Sequence, residues 1–122
     1  MRTTSYVKGS KYVERAFKEN NKNASAANAL CEFFMRKGNI KNALKLAERT
    51  VQYADILTLY SSGHIHAGRL AQMEGLTADA MRHFAAALKS SPKNVMAAIG
   101  LAQTQVKNGL YIYIYIHPAL HC

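Results

Sequence analysis

The side chains able to do chemistry in this 122-residue chain are few, and their spacing suits no reaction. His64 and His66 form an HxH pair. On a helix, residues two apart point in different directions, so the two imidazoles do not share a metal ion. His83 stands alone beside Phe84, and His117 and His121 lie close to the last residue. All five read as surface or packing histidines. The two cysteines, Cys31 and Cys122, form no CxxC pair and no disulfide-like framework, which fits a reducing compartment. The seven acidic residues show no paired arrangement of the kind acid/base catalysis needs. Walker A, GxGxxG, HExxH and nucleophile-elbow motifs are absent from the sequence. The sequence therefore implies no enzyme, no cofactor, no metal and no small-molecule substrate.

The charge balance points to partners rather than substrates. Sixteen lysines and arginines oppose seven acids, for a net charge of +9. Such an excess attracts nucleic acid, acidic protein segments or an anionic membrane surface. The charges are spread along the chain and form no tail-like run. Lys37, Lys41, Lys45 and Arg49 recur every four residues and predict a basic stripe on one helix. That stripe is a candidate nucleic-acid or acidic-peptide site, with a solvated convex face the favoured reading. The N-terminal MRTTSYVKGSKYVERAF has no apolar core of a secretory signal. No stretch approaches the roughly 20 apolar residues that span a bilayer, so no membrane partner is expected.

The elements that would position these residues are helices. Alanine is abundant, tryptophan is absent and there are two prolines, which favours an all-α chain. Lys11–Glu19 forms a helix that the polar run Asn20 to Asn23 breaks. A second runs from Ala24 to a left-handed stop at Gly38. Asn39 caps a third, from Ile40, with Ala43, Leu44, Ala47 and Val51 at helical spacing. A longer helix spans Asp55 to Glu74 and stops at Gly75. Thr77 caps the next, with Asp79 favourable at its positive end. Asn94 caps a last helix that stops at Asn108-Gly109. Beyond it, LYIYIYIHPALHC alternates tyrosine and isoleucine and reads as β-forming.

Gly75 to Pro92 is the most strongly patterned stretch. Ala80 is small, Phe84 large and Ala87 small, and Pro92 follows the helix end. This resembles the second half of a tetratricopeptide (TPR) repeat, a helix–turn–helix unit of about 34 residues. Gly75 and Gly109 lie 34 residues apart, while Gly38 and Gly75 lie 37 apart, three more than the period. Gly68, in the preceding helix, matches the pattern too, as do Leu30, Phe34 and Ala43 around Gly38, and Leu101 and Ala102 before Gly109. The resemblance covers roughly residues 11–109 and implies an α-solenoid. Residues 1–23 hold the second helix of a preceding partial repeat. Residues 24–60 form one repeat with a short insertion around Asp55 to Tyr60, and 61–94 another. Residues 95–109 are the first helix of a truncated repeat. Residues 110–122 are foreign to the pattern and read as a misread-gene tail, with a genuine edge strand or interaction peptide as the alternative. Cys31 takes a small-residue packing position, which implies a buried, inert thiol.

The phrases ERAFKENNKNASAANALCEFFMRKG, ALKLAERTVQYAD and SSPKNVMAAIGLAQ resemble, in order, the middle repeats of the large TPR scaffold subunits of RNA polymerase II-associated factor (Paf) elongation complexes, in a fungal-like version. That resemblance implies an internal segment of a nuclear scaffold that binds other subunits of a polymerase-associated complex and couples elongation to histone modification. The alternatives are a basic solenoid for RNA or DNA and a TPR adaptor outside transcription. TPR units stack with the first helix of each repeat lining a concave face. The groove positions it implies are Asn28, Glu32, Met35 and Arg36, then Ile65, Arg69, Gln72 and Met73, then Ile99, Gln103, Val106 and Lys107. This mixed surface suits an extended or helical peptide. TPR adaptors that grip a C-terminal carboxylate use a Lys/Asn clamp. Asn28 and Glu32 stand there, and an acid repels a carboxylate. With half-repeats at both ends, the chain is expected to be marginally stable and prone to associate.

Overall fold

The computed structural model describes residues 2–116, which fold as six helices with no strand among them. They are α1 (Arg2–Glu19), α2 (Ala24–Arg36), α3 (Ile40–Tyr53), α4 (Leu57–Met73), α5 (Thr77–Ser90) and α6 (Val95–Ile116). Each packs on its successor, while α2 also touches α4 and α4 touches α6. Short links make successive helices antiparallel neighbours. The result is a TPR-like helical solenoid, with α2/α3 and α4/α5 as pairs and α2, α4 and α6 side by side.

Local chemistry sets the boundaries. Asn39 accepts a hydrogen bond from the Asn42 amide at 3.2 Å, and Asn94 accepts one from Ala97 at 3.1 Å. Asn23, expected only as part of a breaker, caps α2 through the Ala26 amide at 3.0 Å. Gly38 and Gly75 adopt φ of 76° and 74°, the left-handed conformation that ends α2 and α4. Thr77 does not cap α5. The N-cap is Leu76, without a side-chain bond, and Thr77 is the first helical residue. The Gly75 turn brings the Leu76 amide to the Ala71 carbonyl at 2.8 Å, which fixes the entry by backbone bonding alone.

Small residues carry the core. Ala27, Leu30, Cys31, Ala43, Ala47 and Leu70 join α2, α3 and α4. Ala80, Phe84, Ala87, Ala97 and Ile65 join α4, α5 and α6. Phe84 is fully buried against Gly68 and Gly100, where any Cβ would lie under 3 Å from its ring. Only glycine on both neighbouring helices leaves room for that ring.

Two helices are longer than their sequence reading. α1 begins at Arg2 instead of Lys11. α6 does not stop at Asn108-Gly109 but continues to Ile116, so Leu110–Ile116 is helical and the β reading fails there. Gly109 lacks the positive φ of a terminator. A strand needs a neighbour to pair its backbone groups, and none is present among the described residues, whereas a helix satisfies them internally. The penalty for tyrosine and isoleucine in a helix, about 0.5 kcal/mol each, is smaller than that of unpaired backbone. Residues 117–122, with His117, His121 and Cys122, lie outside the described residues.

Candidate partner-binding groove

The row α2, α4, α6 bounds a trough of three adjoining cavities of about 340, 590 and 230 Å³. The first is walled by Glu32, Ile65, His66, Arg69, Asn94 and Met96 among others. The second is walled by Met35, Arg69, Gln72, Met73, Ile99 and Gln103, with Phe84 at its floor. The third holds Gln72, Gln103, Thr104 and Lys107. Arg69 and Met96 are shared by the first pair, and Gln72 and Gln103 by the second. Most of the expected groove residues thus share one face. Ile65 is 9% exposed and belongs chiefly to the core. Arg36 and Val106 are exposed and line none of these three cavities.

Asn28 lies behind the wall. Its amide donates to Ser62 Oγ at 3.1 Å, and its Oδ1 lies 3.0 Å from His66 Nδ1. His66 Nε2 lies 3.3 Å from a Glu32 carboxylate oxygen. Burial lowers the His66 pKa, Glu32 opposes that, and Arg69 adds to it. Both ring nitrogens face oxygens on α2, Nδ1 toward Asn28 Oδ1 and Nε2 toward the Glu32 carboxylate. At the two positions of the Lys/Asn clamp, the Asn28 amide is already engaged and Glu32 is acidic. Across the groove, Gln72 Nε2 donates to Thr104 Oγ1 at 2.9 Å and ties α4 to α6.

Sequence reasoning missed Met96 and His66. Met96 was legible: it precedes Ile99, Gln103 and Lys107 on one face of α6 at helical spacing. His66 was not, because its partners Asn28 and Glu32 lie on another helix.

The basic stripe changes in the folded chain. Gly38 ends α2, so Lys37 belongs to the end of that helix and lies over the Phe33 ring at 5.4 Å. Arg49 folds over Phe17 and Tyr53 and donates to the Asn21 carbonyl at 3.2 Å. Lys41 and Lys45 alone remain as exposed members on α3. His83 is not alone either: its Nδ1 lies 3.0 Å from His64 Nδ1, and Tyr60 meets the His64 ring edge-on. Among the described residues no three metal-binding side chains gather. Cys31 is fully buried and donates to the Ala43 carbonyl at 3.2 Å, as an inert packing thiol would.

Paired helices, small-residue packing and a groove lined by first helices define a TPR-like helical-repeat protein. The comparisons agree at that level. The chain is similar to Tetratricopeptide repeat protein 1 of Schizosaccharomyces pombe, 27% identical over 101 residues, which cover 83% of this chain and 10% of that relative. The chain spans about a tenth of that protein's length. No family model matches it. Among the described residues no helix is long and apolar enough to cross a membrane. The likeness and the helix pairing together support a TPR-like helical repeat.

Proposed function

We propose that this chain is a segment of a non-enzymatic scaffold whose α2–α4–α6 groove holds a segment of a partner protein. The observation that carries the reading is the continuous trough walled by Met35, Arg69, Gln72, Met73, Ile99 and Gln103. We further propose that the scaffold is nuclear and works in an RNA polymerase II transcription-elongation complex linked to histone modification. What supports that finer step is the ordered resemblance of Gly9 to Gly109 to Paf-complex scaffolds. Affinity purification of the full-length product, with and without Met73→Glu and Ile99→Glu, tests both steps. Polymerase-associated subunits should copurify with the parent and be lost from the variants. Chaperones recovered without such subunits would sink the transcription reading.

The net charge of +9 and the exposed Lys41 and Lys45 favour RNA or DNA as the second reading. Filter binding with duplex DNA and single-stranded RNA tests it. Binding that resists added salt would count against phosphate contacts.

A further inference from the structure

Charge and apolar surface are arranged in order along the groove. Arg69 stands where the first and second cavities meet. The hydrogen bond its guanidinium makes among the described residues goes to the Met96 thioether at 3.8 Å. A guanidinium carries five N–H donors, and a thioether is a weak acceptor. Glu32, the acid of the same cavity, is turned to His66. No carboxylate among the described residues forms an ion pair with Arg69. Around this cation the second cavity presents Met35, Met73, Met96 and Ile99. Met73, Met96 and Ile99 are each about half exposed. Methionines at such a surface adapt to varied apolar partners.

An occupant must satisfy both features. A basic segment would meet Arg69 and Lys107 on a chain of net charge +9. A purely apolar segment would bury the guanidinium without an acceptor, which costs more than the contact returns. A nucleic-acid backbone would supply charge and leave the methionine surface unfilled. We propose that the groove's partner is an acidic, amphipathic protein segment. One of its carboxylates pairs bidentately with Arg69, and its bulky apolar residues seat on Met35, Met73, Met96 and Ile99. This inference rests on the groove being the partner site.

The test is fluorescence anisotropy on the whole chain. The probe is a labelled amphipathic peptide of Asp, Glu, Leu and Phe, about 16 residues long. Versions with Lys for the acids and Ser for the apolar residues accompany it. The acidic peptide should bind, and each altered peptide should bind about tenfold more weakly or worse. Arg69→Glu should weaken the acidic peptide by at least about tenfold and strengthen the lysine peptide. Arg69→Gln should weaken the first without the second effect, and unchanged helical circular dichroism shows that both variants fold. Failure of the acidic peptide to bind, or equal binding of acidic and basic peptides, overturns the inference. Peptides lost to Met73→Glu but unmoved by Arg69→Glu would leave the groove as a partner site and refute the charge assignment. Displacement of the acidic peptide by single-stranded RNA, abolished by Arg69→Glu, would assign the site to phosphates and refute it as well.

Discussion

Replacing Gly100 with alanine puts the packing argument at risk in one step. Helix propensity alone favours the change by about 1 kcal/mol, because glycine inside a helix is entropically costly. The surroundings oppose it. An alanine Cβ at this position would lie 2.4 Å from Phe84 Cε1, 2.5 Å from Cζ and 2.7 Å from Cδ1. Carbon atoms rest at about 3.5–4.0 Å, so the ring would have to retreat by about 1 Å. Its other neighbour is Gly68, where the ring already stands 2.9 Å from the position of a Cβ. Overpacking of this kind costs about 1–3 kcal/mol, and the shortness of the overlap puts Gly100 at the upper end. Subtracting the propensity gain leaves a net loss of about 2 kcal/mol. Urea unfolding followed by circular dichroism measures it as a lower midpoint at unchanged slope. Phe84→Leu provides the second arm. If the ring is the cause, the alanine penalty shrinks when Phe84→Leu is also present, and the cycle reports the coupling. A Gly100→Ala chain as stable as its parent, or an equal penalty in both backgrounds, refutes the reasoning.

Three further outcomes rest on the same geometry. Gly109→Ala meets nothing within 4 Å in α6, so it should gain up to about 1 kcal/mol and raise helicity; a loss would restore Gly109 as a terminator. Burial lowers the pKa of His64, His66 and His83; His83 adds to the effect at His64 and Arg82 at His83, while Asp79 and Glu48 oppose it at His83 and Glu32 at His66. The folded chain then binds fewer protons than the unfolded chain, so this stability is complete above about pH 6.5 and is lost as pH falls through the folded values. The urea midpoint should hold above about pH 7 and drop as pH falls below about 6.5, and the His64→Gln/His83→Gln variant should flatten part of that slope. Burial, with Glu32 nearby, pushes the Cys31 thiol up to about 12, so alkylation should wait for unfolding; rapid labelling of Cys31 in the folded chain would contradict its packing.

The pattern that was legible was the one written in local chemistry. Asn39, Asn94, Gly38 and Gly75 state their helix boundaries within three or four residues, and the structure uses them as such. Ala80, Phe84 and Ala87 state the packing rhythm of α5. The groove positions were carried onto this chain by resemblance and register; Glu32, Met35, Arg69, Gln72, Met73, Ile99, Gln103 and Lys107 line the trough, while Asn28, Arg36 and Val106 line none of its three cavities. What escaped depended on contacts distant in sequence. His83 meets His64 across 19 residues, and His66 meets Asn28 across 38. Neither pairing leaves a periodic trace. Leu110–Ile116 escaped for another reason: side-chain alternation proposes a strand, but a strand forms only where another chain segment completes its hydrogen bonds.

The division between packing and function also changes in the folded chain. The rhythm of Gly75 to Pro92 assigns Phe84 to packing and leaves function to the facing helix. Phe84 is fully buried, and yet its ring forms part of the floor of the second cavity, between Gly68 on α4 and Gly100 on α6. It therefore sets how closely α4 and α6 approach, and with that the width of the trough that holds Arg69, Met73 and Ile99. The Gln72 bond to Thr104 fixes the same two helices further along. A substitution at Phe84, Gly68 or Gly100 should then alter partner binding through the spacing of α4 and α6, without touching a residue that meets the partner. Phe84→Leu, measured for both stability and peptide affinity, separates the two roles. If the ring sets groove width, affinity falls even under conditions where the chain remains fully folded. If affinity stays constant while stability falls, Phe84 is a packing residue alone.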